Sequence, residues 1–215
     1  MSKKPLFRYL IELVIVIAGV TIAFWLNTRA EAAKEQKILD NYYVELLADL
    51  DKDRKKLDWN IETNTKKKER MISAVRLYLT GHATRDSVYK YCEMIGNYDF
   101  FYPKDITYRS MVSSGDLKLI TNFDIKRKMI SLYDHYELIE ELQENHLQAL
   151  DKNYFPKYVY MVDFITQEVV EPIEEDMLIK NYFGWCANDL SNQIGYYQSA
   201  MKRNLALDSL IKISL

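Results

Sequence analysis

Residues 9–26 read YLIELVIVIAGVTIAFWL, eighteen positions that carry a single charge, Glu12. At about 1.5 Å of rise per residue this run makes a helix of about 27 Å, close to the hydrocarbon thickness of a bilayer. A lipid core leaves no water to satisfy backbone N–H and C=O groups, so the run predicts one transmembrane helix. No second run of this kind occurs in the chain. Phe7 and Tyr9 at one end and Trp25 at the other stand where interfacial aromatics are favoured. Lys3, Lys4 and Arg8 followed by Ala30-Glu31-Ala32 also fit a cleaved signal peptide, but the apolar run is long for one. An uncleaved anchor over residues 1–27 is therefore expected, with residues 28–215 as the domain it carries.

Lys3, Lys4 and Arg8 precede the span, and Arg29, Lys34 and Lys37 follow it. The comparison leans toward a cytoplasmic N-terminus, which places the chain in the inner membrane with its C-terminal domain in the periplasm.

Beyond Asn27 good helix formers continue without a breaker to Gly81. Leu39, Tyr43, Leu46, Leu50, Leu57 and Ile61 recur at steps of three, four or seven and mark one face of a stalk helix. Asp53 and Asn64 interrupt that stripe, so packing against later helices competes with a heptad oligomer. The basic runs KDRKK at 52–56 and KKKER at 66–70 have acidic neighbours interleaved and read as solvated helix faces.

Thr84 is placed to cap a short helix through Ile95, and Asp105 one that Gly115 ends. Asn122 is placed to cap a long helix running past Leu142, which Pro156 bends or ends. Glu171-Pro172 marks a further break. Residues 191–215 form a last amphipathic helix, with Ile194, Tyr197, Met201, Leu205 and Leu210 available for burial. Six glycines and four prolines in 215 residues are too few for the tight turns of an all-β fold. The expected class is all-α: a transmembrane helix continuing into a long stalk helix that joins a helical bundle.

Charge is close to balance, 29 basic against 31 acidic side chains, which argues against nucleic acid as a partner. Cys92 and Cys186 lack metal-ligand spacing; they can pair in an oxidising compartment or stay as buried thiols. A di-iron bundle needs Glu three residues before His, and the residues there are Leu79, Leu132 and Gln143. HExxH, GxSxG, phosphate-loop and dinucleotide motifs are absent from the sequence, so no metal, cofactor or catalytic residue is expected and the chain reads as non-enzymatic.

The stretch EL-VIVIAG-VTIAFWLN, residues 12–27, resembles the opening of an uncharacterised family of small single-pass membrane proteins abundant in Bacteroidota. Glu12, Gly19, Ile22, Ala23 and Asn27 match that family's pattern, and MVSSGDLKLITN, residues 111–122, is similar to its serine-glycine-leucine stretch before a long helix. Tyr133 and Tyr136 are more loosely arranged than the family's paired aromatics, and Arg29 or its neighbours stand in place of its Trp after the Asn. The resemblance covers the first two-thirds of the chain. It implies a membrane-tethered helical domain and brings no activity with it.

Two candidate surfaces follow. Glu12 can snorkel to the headgroups and pair with Arg8, one turn earlier. It also heads a stripe through Val16, Gly19, Ala23 and Leu26, whose small-xxx-small step lets another membrane protein or a second copy approach closely, and an intramembrane acid can also belong to a proton or ion pathway. Tyr98, Phe100, Phe101, Tyr102 and Tyr108 can line a ligand or partner surface, or plug the end of the bundle. The expected function is an accessory or structural subunit of an envelope complex, bound to the bilayer and to partners through its helices. The alternative is an extracytoplasmic ligand-sensing domain using residues 98–108.

Overall fold

The computed structural model describes residues 4–163, 165, 166, 168, 169 and 176–215. Lys3 and the break at Glu171-Pro172 lie outside this set, as do the side chains of Lys4 and Phe7. The fold is all-α. A single helix, α1 (Lys4–Leu79), carries the apolar run and the stalk without interruption and ends where Gly81 takes φ +70°, a conformation that suits glycine. There follow α2 (Arg85–Ile95), α3 (Ile106–Ser114), a 3-10 turn (Asp116–Leu119), α4 (Phe123–Ala149), a π turn (Leu150–Tyr154), α5 (Phe155–Met161), the short antiparallel pair β1 (Val162–Asp163) and β2 (Glu168–Val169), and α6 (Met177–Ser214).

The caps explain most of these boundaries. Thr84 and Ser87 form a reciprocal capping box at α2. The Asn122 carboxamide accepts from the Asp124 and Ile125 N–H groups at α4, and Asp176 does the same for Leu178 and Ile179 at α6. Asp105 departs from expectation: its side chain makes no cap bond to the backbone and pairs with Arg109 instead. Gly115 ends α3 at φ +77° as expected. Pro156 does not end the helical path: it stands in the first turn of α5, where a proline is tolerated, directly after the π turn. The last helix begins at Met177, well before the expected Ser191, because Asp176 caps it there.

Every buried residue of α1 lies on one 4-3 repeat: 39, 43, 46, 50, 53, 57, 60, 64, 67, 71 and 74. The same repeat runs through α4 at 125, 129, 132, 136, 139, 143, 146 and on to 150, and through α6 at 179, 183, 186, 190, 193, 197, 200, 204, 207 and 211. α1 and α4 each lay a stripe with the 3.5-residue period of coiled-coil packing along the seam with α6, and the segment around Phe101 fills the space between them. Asn64 meets Gln193 while Arg54 meets Asn204 and Asp208, so α6 runs antiparallel to α1. Tyr197 meets Gln143 while Asn204 meets Tyr136, so α6 is antiparallel to α4 as well.

Leu46, Leu50 and Leu57 are fully buried in this seam, each contributing about 1.5 to 3 kcal/mol of apolar burial. Asp53 and Asn64 do not interrupt the stripe; they occupy it, held by bonds from other elements. Ile61 is only half-buried. On α6 the inward set is displaced from expectation: Ile194 and Tyr197 are buried, but Leu205 is exposed and Asn204, Leu207, Asp208 and Ile211 face inward.

The basic runs are correspondingly less solvated than their composition suggests. Arg54 reaches across to Asp208 at 2.9 Å, and Lys67 is buried in the seam.

Candidate functional site

Residues 8–37 of α1 are exposed along their whole length, and the apolar window inside them has no part buried in the fold. Arg8 donates from Nε to Glu12 Oε1 at 3.0 Å, so the acid has a local partner one turn away. Thr21 and Thr28 return their hydroxyls to the Ile17 and Phe24 carbonyls. The Arg29 guanidinium lies 4.2 Å from the Trp25 ring centroid, a cation–π pair where the apolar run gives way to the charged stalk. A Cβ built on Gly19 would meet nothing within 4 Å. Val16, Gly19, Ala23 and Leu26 thus form an open stripe that the rest of the described chain does not cover.

The aromatic segment divides. Phe100 and Phe101 are buried, and Phe101 packs on Tyr136 with ring centroids 5.0 Å apart. Tyr98 stacks on Phe100 at 4.8 Å, and Tyr108 stacks on Tyr133 at 4.0 Å, nearly parallel. Tyr102 is exposed. These rings sit along the flank of the bundle because residues 97–107 run back down α1: Asn97 lies against Lys67, Asp99 against Asn60, Lys104 against Asp53, and Thr107 against Asp49.

A buried irregular backbone must find partners, and Gln143 supplies them. Its carboxamide donates to the Phe101 carbonyl and accepts from the Phe101 N–H, both at 2.9 Å, and also accepts from the Tyr197 hydroxyl at 2.8 Å.

Two polar layers cross the seam beside this clamp. In one, His146 Nδ1 lies 2.6 Å from Asp189 Oδ2, Gln193 donates to the same oxygen at 2.6 Å, and Asn64 donates to Gln193 at 3.1 Å. Trp185 stacks on the imidazole at 5.2 Å while Tyr98 meets it edge-on, and His146 Nε2 has no protein partner. In the other layer Asp53 accepts from the Lys104 N–H at 2.8 Å. Burial pushes the Asp53 carboxyl up to about 7, against the opposing pull of that bond and of Tyr136. Among the described residues Asp53 Oδ2 and the Tyr133 hydroxyl make no close hydrogen bond, although the Tyr136 hydroxyl is near enough to Asp53 to favour its charged form.

Cys92 and Cys186 are free and buried in the far half of the core, where burial pushes their thiols up to about 12 and about 11. That environment disfavours the thiolate. Among the described residues no three His, Cys, Asp or Glu side chains are grouped to hold a metal.

The polar layers were missed in the sequence because an interrupted apolar stripe reads as a stripe that stops. The 4-3 spacing itself was the available signal, since Asp53, Asn60, Asn64, Lys67, Gln143, His146, Gln193 and Asn204 all fall on it. Fold and site together define an all-helical protein with one helix, near the N-terminus, long and apolar enough to cross a membrane. No protein-family model, curated protein or solved structure matches the chain.

Proposed function

We propose that this protein is a non-enzymatic, single-pass accessory or structural subunit of an inner-membrane or envelope complex, with its N-terminus in the cytoplasm and its helical head in the periplasm. The observation that carries the reading is the uncovered apolar stretch of α1, joined without a hinge to a head in which α1 and α4 pack along α6. Side chains this apolar need lipid or another helix around them. The open Gly19 and Ala23 step suits a close helix contact by a second membrane protein or a second copy, with Glu12 at the edge of the same stripe.

Purification of the tagged full chain in mild detergent tests this. A stable complex is expected, weakened by Glu12→Leu and Gly19→Leu without loss of membrane insertion; a strictly monomeric particle with no membrane partner overturns it. Orientation is read by placing a cysteine at the exposed Lys66 and adding an impermeant maleimide to cells with a permeabilised outer membrane. Labelling before lysis is expected, and protection until lysis reverses the assignment. The buried native thiols leave the background low.

A second reading, a ligand-binding head, is favoured by one observation: Tyr98 lines an open cavity of about 310 Å³ on the flank of α1.

A further inference from the structure

The cavity beside Tyr98 is lined by a buried lysine that has no ion pair among the described residues. Lys67 is only 7% exposed. Its ammonium donates to the carbonyls of Ile95, at 3.4 Å, and Asn97, and lies 5.6 Å from the Tyr98 ring centroid. No carboxylate pairs with it among the described residues. Burial pulls its pKa down, with the Cys186 and Asp189 side chains opposing from across the seam. Buried charges are ordinarily paired, and leaving one without a counter-charge is unfavourable.

Arg70, one turn further along α1 and also lining the cavity, donates to the Met94 sulfur at 3.9 Å and has no ion pair among the described residues. The other charges around the opening are already matched. Lys66 pairs with Glu62, while Asp99 accepts from Lys56 at 2.7 Å and from Trp59 at 2.8 Å. Asn64 and Asn97 add amide groups to the lining. An ammonium and a guanidinium one turn apart, both short of acidic partners, present the donors that an oxyanion accepts. At about 310 Å³ the space is at the small end of ligand pockets.

We infer that this cavity binds a small solute bearing a carboxylate or phosphate group, with Lys67 and Arg70 pairing to its charge. The inference rests on the ligand-binding reading of the head and is independent of the membrane-subunit reading. If Lys67 served only to tie down the carbonyls at the end of α2, added anions would leave the protein unchanged.

The test is thermal unfolding of the full chain in a nonionic detergent, titrated with inorganic phosphate or succinate at constant ionic strength in chloride. A saturable rise in Tm is expected for the wild type. Lys67→Met removes the buried charge with an apolar side chain of similar length, and it is expected to fold and lose the response. Arg70→Gln, at a side chain with no carboxylate to abandon, is expected to weaken apparent affinity at least tenfold and keeps the test open should Lys67→Met not fold. Absence of a saturable effect, or equal responses in the wild type and Arg70→Gln, overturns the inference. Stabilisation of the wild type and Lys67→Met alike by neutral phenol, with no response to either anion, overturns the anion assignment while leaving a ligand-binding head in place.

Discussion

Asp53 gives the stability of this protein a dependence on pH that a single substitution removes. The residue is 1% exposed, its carboxylate accepts one backbone N–H from Lys104, and its second oxygen makes no close hydrogen bond among the described residues. Burial raises its pKa from 3.8 to about 7. An acid whose folded pKa is raised binds its proton more tightly in the native state than in the unfolded chain. Stability from this group is therefore greatest below about pH 4 and falls as pH climbs through 7, the reverse of a salt-bridged carboxylate. The shift spans about 3 units, so the loss by pH 8 is of order 4 kcal/mol, at about 1.36 kcal/mol per unit.

Asp53→Asn keeps the shape and the acceptor for Lys104 and removes the titration. Unfolding is followed by circular dichroism at several pH values between 4 and 8, with the difference between variant and wild type isolating this residue from other titrating groups. Near pH 4 the two proteins are expected to be close, and by pH 5 roughly a third of the difference has developed. By pH 8 the variant is expected to be the more stable, by on the order of 10 °C in Tm for a chain of this size. Parallel pH profiles for the two proteins, or a variant less stable at pH 8, refute the reasoning.

Gln143→Leu strips the partners from both backbone groups of buried Phe101 and from Tyr197, so it is expected to destabilise the head by about 2 to 5 kcal/mol, read from chemical denaturation. Gly115→Ala forces a Cβ into the φ +77° conformation that closes α3; the space around it is open, so the loss is expected to be only about 1 kcal/mol, in the same assay. Cys92 and Cys186, buried and with thiols held well up, are expected to resist a thiol reagent at pH 8 in the native protein and to react as two free thiols in denaturant, whereas rapid native labelling of either contradicts their burial.

Local chemistry made much of the fold legible. The apolar run, the helix formers up to Gly81, the Thr84 and Asn122 caps and the left-handed Gly115 each act within a few residues of chain, and each appears where the sequence places it. The class of the fold followed from these and from scarce glycine and proline. The early start of α6 and the continuity through Pro156 escaped, the first because one Asp outweighs a weak apolar pattern, the second because a π turn has no sequence mark.

What lies inside the seam was decided only by tertiary structure. A polar residue on a helix face is solvated or buried according to whether another element brings it a partner. The partners here come from far along the chain: Lys104 for Asp53, Gln193 for Asn64, Asp208 for Arg54, Asp189 for His146 and Phe101 for Gln143. The sequence determined which helices form and which one is apolar enough for a membrane, because those depend on backbone satisfaction and side-chain transfer over short spans. The packing of distant helices decided which charges are matched and left Lys67 with backbone carbonyls and no carboxylate among the described residues, because burial and electrostatic partnership exist only once distant segments meet.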